Sequence, residues 1–303
     1  MLFYHNILKN KTKMQKKFQK FIKIWYSIYR DIKKGGIMEE DKKKGFTIAG
    51  ISIWRLLAYF IIYSAVGWFL ETCFGLLTKG VIESRKSFLY GPFCGIYGVG
   101  AVIMILGLQR FNKNNYSLFF GGFLIGSVVE YVISWIGEMI FHVVWWDYSD
   151  MAFNINGRIC IIFSFFWGIL AIYLMSHFNP KIDKLIDKIS PKALKIFGVV
   201  GVTLLLIDCL ISGFALKMFY TRLIDNYNVQ IPNAQEYANE CRELYEIPDV
   251  KAFVDKYWGD EKMLKTFPNL KINDSNGNII LIRDILSDLD PYYLRVFTPR
   301  RSI

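Results

Sequence analysis

Leu118-Phe-Phe-Gly-Gly-Phe-Leu-Ile-Gly-Ser-Val-Val-Glu130-Tyr-Val-Ile-Ser-Trp-Ile-Gly-Glu138-Met-Ile-Phe-His-Val-Val144 is the longest apolar run in the chain, and it contains no lysine, arginine or aspartate. A helix at the surface of a water-soluble protein carries a broad charged face opposite its apolar stripe, and this run offers only two glutamates and one histidine. As a helix it would be about 40 Å long, more than the roughly 30 Å of hydrocarbon in a bilayer. Lipid supplies no partner for backbone N–H and C=O groups, so a run of this length is read as a transmembrane helix.

Working outward, four more runs have the same character: Leu56 to Leu77, Phe88 to Leu108, Ile159 to Phe178 and Ile196 to Leu216. Charges or turn formers bound them at Arg55, Lys79 to Lys86, Arg110 to Lys113, Asp147 to Arg158, and Lys181, Lys184, Lys188 and Lys192. The whole chain is 53% hydrophobic and 21% charged, which is rich for a soluble domain. The expected fold class is all-α: a polytopic membrane helix bundle with about five transmembrane helices and a small mixed α/β C-terminal tail. Three parts are expected, namely a basic N-terminal segment over 1–46, a transmembrane domain over 47–220 and a soluble tail over 221–303.

The charge distribution orients the bundle. Residues 1–46 hold 13 Lys and Arg against 4 acids, much of the net +11 of the chain. Basic residues gather on the cytoplasmic flanks of membrane helices, so the N-terminus is assigned to the cytoplasm and an odd number of spans places the tail outside. The excess then points to anionic membrane lipid rather than nucleic acid as the partner. Within the basic segment, Phe3 to Trp25 mixes lysines with Phe18, Phe21, Ile22 and Trp25. It reads either as an amphipathic helix on the inner leaflet or as an unstructured leader, and it lacks the apolar core of a secretion signal. Met38 is a second candidate start of translation.

In the tail, apolar residues at helical spacing through Gln235 to Asp260 predict short amphipathic helices. Leu270 to Ile272 and Ile279 to Ile282 flank Asn276-Gly277 and predict a β-hairpin. The five cysteines share no CxxC spacing and indicate neither a zinc site nor a disulfide framework.

Polar residues inside the runs carry the functional signal. A carboxylate at mid-bilayer costs about 2.5–3.5 kcal/mol on insertion scales and faces the bundle interior. Glu130, Ser134, Glu138 and His142 recur every four residues and form one stripe drifting about 40° per step. Glu71 lies on a polar face of the first run, Asp208 on one of the fifth, and Arg158 opens the fourth. Three readings stand: a solute route, interhelical pairing that holds the bundle together, and metal binding or catalysis through Glu138 and His142. No HExxH, nucleophile elbow or cofactor motif accompanies the third, so no catalytic residue, metal ligand or cofactor is assigned. The second run opens on a stretch rich in glycine with Pro92, which suits either close helix packing or a broken, re-entrant entry. Trp145, Trp146 and Tyr148 suit the headgroup level.

Tyr63-Ser-Ala-Val-Gly-Trp-Phe-Leu-Glu71, Phe88-Leu-Tyr-Gly-Pro-Phe-Cys-Gly-Ile-Tyr-Gly98, Glu130-Tyr131, and Glu138 through Trp145-Trp-Asp-Tyr-Ser149 to Phe153-Asn-Ile-Asn-Gly-Arg158 occur together in this order. This set resembles the integral membrane permease family called putative ABC transporter type IV, or CmpB-like, over about Leu56 to Tyr220. The resemblance implies a transport permease of a bacterial cytoplasmic membrane. The chain departs from the family at Ser84-Arg-Lys86, where Asn-Arg-Gly is usual, and at Gly95, where proline is usual. The chain has no GxxxxGK[ST] phosphate loop, so an ATPase would have to be a separate subunit. An adaptor or sensor that acts through the tail is the alternative reading, and nothing in the sequence sets an oligomeric state.

Overall fold

A short hairpin of β1 (Thr47–Ile48) and β2 (Ile51–Ser52) leads into the first long helix, α1 (Ile53–Lys79), in a computed structural model that describes residues 46–110, 114–141, 144–231, 234–273 and 279–297. After β3 (Val81–Ile82) come α2 (Gly95–Leu108), α3 (Asn115–Phe141) and α4 (Ile161–Tyr173). A π-helical turn, Leu174–Phe178, carries α4 directly into α5 (Asn179–Ile186). α6 (Pro191–Tyr227) starts where the Ser190 hydroxyl accepts the Ala193 N–H at 3.3 Å, with Pro191 at the first helical position. Four helical rods, Ile53–Lys79, Asn115–Ile140, Ile161–Ile186 and Pro191–Tyr227, are long and apolar enough to cross a membrane. Leu77, Phe120, Leu124, Leu204 and Leu210 on them are each at least 61% exposed, a surface suited to lipid rather than water.

The second apolar run differs from the expectation. Only 14 residues of it are helical, and Phe88 to Cys94 is irregular. Pro92 has no N–H to give and disfavours helical geometry at Gly91, so a helix cannot run back through Phe88 to Gly91. The broken entry therefore forms, and close packing accompanies it. The Cys94 N–H donates to the Ser64 carbonyl at 2.8 Å, and a Cβ at Gly98 would lie 2.6 Å from the Phe60 carbonyl oxygen.

Two ends of the bundle can be told apart. At the entry end, Gln109 after α2 donates to the Ala49 carbonyl at 3.1 Å, and Arg55 pairs with Asp183 and Asp187. At the tail end lie the 80–94 and 144–160 connections and the C-terminal residues. α1, α3 and α6 run from entry end to tail end, while α2 and the α4–α5 rod return. The 14-residue α2 is a shorter apolar helix between the four long rods, and Phe46 and the tail sit at opposite ends of the bundle.

α6 is 37 residues, about 55 Å, and outruns any bilayer. Its last turns form a core with the tail, where Phe219, Leu223, Val254, Met263, Ile272 and Ile282 are fully buried. Burying a side chain of this size contributes roughly 1.5–3 kcal/mol. The tail comprises α7 (Ala234–Tyr245), α8 (Pro248–Trp258), α9 (Asp260–Thr266), β4 (Lys271–Asn273), β5 (Ile279–Leu281), α10 (Ile282–Ile285) and β6 (Leu294–Arg295). The amphipathic helices and the antiparallel β4–β5 arms match the sequence pattern. The hairpin turn at Asn276-Gly277, the basic segment before Phe46 and His142 lie outside the described residues. β6 pairs antiparallel with β3, and the Gly80 carbonyl accepts from the Val296 and Phe297 N–H groups at 2.8 and 3.1 Å. Gly80 is left-handed at φ 70°, and a side chain there would run into the Phe297 carbonyl.

Candidate functional site

Glu71 and Glu130, from helices α1 and α3, stand at the two ends of one chain of contacts. Tyr97 on α2 donates its hydroxyl to Glu71 at 2.8 Å, and its ring packs on that of Trp167 with centroids 5.7 Å apart. Trp167 on α4 donates its indole N–H to Glu130 at 3.0 Å, and Tyr148 donates its hydroxyl to the other oxygen at 3.0 Å. Glu130 is only 4% exposed. A carboxylate so placed needs every lone pair it can fill, and these two donors supply direct partners to both oxygens. Four helices and one loop thus meet on two acidic groups.

Further along α3, Glu138 pairs with Arg158, whose guanidinium also lies over the Tyr131 ring at 5.5 Å. Asn156 donates to the Tyr131 hydroxyl at 2.9 Å, and Asn154 bridges the Ser149 and Met151 carbonyls, so both asparagines shape the 144–160 connection. Ser134 is buried on the same face. The aromatic residues of the 144–160 connection have protein partners: Trp145 packs on Phe267 of the tail, Trp146 donates to the Arg158 carbonyl, and Tyr148 reaches Glu130. Among the described residues, no group of three His, Cys, Asp or Glu stands together as a metal site.

Asp208 is elsewhere. Its carboxylate accepts the Gly91 N–H at 2.9 Å and the Tyr90 N–H at 3.2 Å, and the neighbouring Ser212 hydroxyl accepts the Leu89 N–H at 2.7 Å. These side chains take the place of the helical acceptors that the irregular segment lacks. The structure therefore joins Glu71 to Glu130 and Glu138 to Arg158, and leaves Asp208 with the segment.

The same segment brings a cluster that sequence reasoning did not single out. Arg85 reaches Glu83 at 2.7 Å and Glu71 at 3.5 Å, and Lys79 joins Glu83 at 2.9 Å. Asn269 of the tail donates to Glu83 at 3.1 Å. Burial pushes the Glu83 carboxyl up, but the Lys79 hydrogen bond and the Arg85 charge hold it below the ordinary value of 4.5. A carboxyl whose folded pKa is depressed contributes stability above its unfolded pKa and loses it as pH falls through the folded value. The thermal midpoint should therefore fall on acidification below about pH 4.5. Glu83→Gln should remove part of that fall, and a profile unchanged by the substitution would rule out the cluster as its cause.

At the entry end a further polar group was not singled out, because Arg55 looked like a span boundary. Arg55 pairs with Asp183 and Asp187, Tyr59 donates to Asp183, and Tyr63 donates to Asn179 at 3.1 Å. Arg55, Tyr59, Asn179 and Asp183 line a cavity of about 500 Å³ with Gln109 and Met175. The Asn179 and Asp183 carried by α5 follow the apolar run too closely in sequence to read as anything but its flank.

Residues 58–213 match the family model described as Putative ABC-transporter type IV. No curated protein and no solved structure matches the chain.

Proposed function

Because the chain belongs to the Putative ABC-transporter type IV family, we propose that it is the membrane-embedded, non-enzymatic subunit of a transporter whose ATP is hydrolysed by a separate polypeptide. The polar route runs along Arg85, Glu71, Tyr97, Trp167, Glu130 and Tyr148, with the Glu138–Arg158 pair beside it. The observation that carries this reading is the pair of acidic groups linked across four helices. Two mid-helix carboxylates cost several kcal/mol to insert, and helices can be held together by small-residue packing alone. The 13 basic residues of 1–46 support an orientation with the entry end in the cytoplasm and the tail outside, and the family resemblance supports a bacterial cytoplasmic membrane.

Purification of the full chain in mild detergent tests this. A phosphate-loop ATPase should co-purify, and ATP hydrolysis by the complex in nanodiscs reports function without knowledge of the solute. Glu130→Gln should lower that rate about tenfold or more, and Trp167→Phe, which keeps a ring but removes the N–H, by a few-fold, since tenfold corresponds to about 1.4 kcal/mol. The absence of an ATPase partner would overturn the reading and favour an adaptor acting through the tail. Asp288 is exposed on the tail. An Asp288→Cys chain should react with an impermeant thiol reagent in intact cells, and protection there would reverse the orientation.

A further inference from the structure

The irregular segment between α1 and α2 is held from two sides. On the bundle side its N–H groups end on Asp208 and Ser212 of α6. On the other side the tail grips it repeatedly. The Trp258 indole N–H donates to the Tyr90 hydroxyl at 3.0 Å. Asn269 bridges Lys79 and Glu83 at 2.7 and 3.1 Å, and the Tyr293 N–H donates to the Ile82 carbonyl at 2.9 Å. Leu89, 1% exposed, belongs to the core that α6 forms with the tail, the same buried cluster as Met263 and Leu264.

Irregular backbone at membrane depth persists only where protein buries it. For this segment the tail supplies much of that burial, so the two form one packed body. Arg85 rides on the same segment and reaches Glu71, which joins the segment's position to the state of the acidic chain.

We propose that the tail is a lid coupled to the 83–94 segment: when the tail lifts, the segment withdraws from Asp208, Arg85 leaves Glu71, and the tail end of the bundle opens. The coupling stands on the contacts themselves, and only the identity of what then enters rests on the transport reading. The tail is seated by the apolar core it shares with the end of α6 and fastened at its rim by polar contacts, of which the Asn269 bridge joins it to both the end of α1 and the start of the segment.

Two native thiols report the two halves. Cys94, at the end of the segment, is 8% exposed, and Cys241, in the core between tail and α6, is 3% exposed. Cys160, 1% exposed at the start of α4, serves as the control for the bundle. The full chain in nanodiscs is treated with a soluble maleimide, and labelling is read peptide by peptide. In Asn269→Ala, Cys94 and Cys241 should label together, each about tenfold faster than in the parent, as expected when one local opening exposes both. Cys160 should not change. A rise at Cys241 with Cys94 unchanged overturns the proposal, and so does the absence of any rise at either. Should Cys160 rise as well, the variant has loosened the bundle, and amide exchange of the unsubstituted chain decides. Peptides covering 83–94 and 260–272 must open at one rate, and separate rates overturn the coupling. Neither measurement depends on ATP hydrolysis, so failure of the transport reading leaves the result standing.

Discussion

Asp208→Ala should lower the stability of the full chain by roughly 2–5 kcal/mol, read as a fall in thermal midpoint in detergent or nanodiscs. The residue is 9% exposed and accepts from Gly91 and Tyr90, and the Ser212 hydroxyl donates to it at 3.3 Å. Removing the carboxylate leaves backbone donors buried without partners, and each such donor costs about 1–3 kcal/mol. Asp208→Asn keeps one carbonyl acceptor in the same place and should lose about half as much. A loss below about 0.5 kcal/mol in the alanine variant would mean that water reaches the segment and that its amides need no protein acceptor.

Two alanine substitutions in one helix should separate sharply. A Cβ at Gly98 would meet the Phe60 carbonyl oxygen at 2.6 Å, while one at Gly95 would touch only the Phe88 ring, at 3.6 Å. Backbone cannot yield as a side chain does, so Gly98→Ala should push α2 off α1 at a cost of about 1–3 kcal/mol or more. Gly95→Ala should be near neutral, because the gain of alanine over glycine in a helix, up to about 1 kcal/mol, meets only ordinary contact. The measurement is the yield of monodisperse protein together with its thermal midpoint. Equal behaviour of the two variants would show that α1 and α2 are not in this close contact.

The membrane helices were legible because their signal is local. A run such as Leu118 to Val144 holds no lysine, arginine or aspartate and only two glutamates along its whole length, and no distant residue is needed to read it. The tail's helices and the arms β4 and β5 were legible for the same reason, through spacing of 3.6 and the Asn-Gly turn. The buried carboxylates were also legible as a set, since any Glu or Asp within such a run is costly.

Their partners were not. Glu130 ends on Tyr148 and Trp167, two aromatic residues whose sequence context reads equally well as interface anchor and core. The length of α2 was misread because hydropathy counts Phe88 to Cys94 as helix, while Pro92 and the acceptors on α6 make it irregular. Tyr90 lies 118 positions from Asp208 and 168 from Trp258. Contacts at such separations depend on how the helices pack, which no local pattern encodes.

Residue composition along the chain thus determined by itself that this is a helical membrane protein with acidic groups inside its spans and a small α/β tail beyond them, because transfer of side chains to lipid is a property of each segment alone. Only the tertiary structure decided that Glu71 and Glu130 share one chain, that Asp208 holds an irregular segment, and that the tail clasps that same segment. Hydrogen bonds and ion pairs need two groups within about 3 Å of each other, and that proximity is set by the packing of the whole bundle.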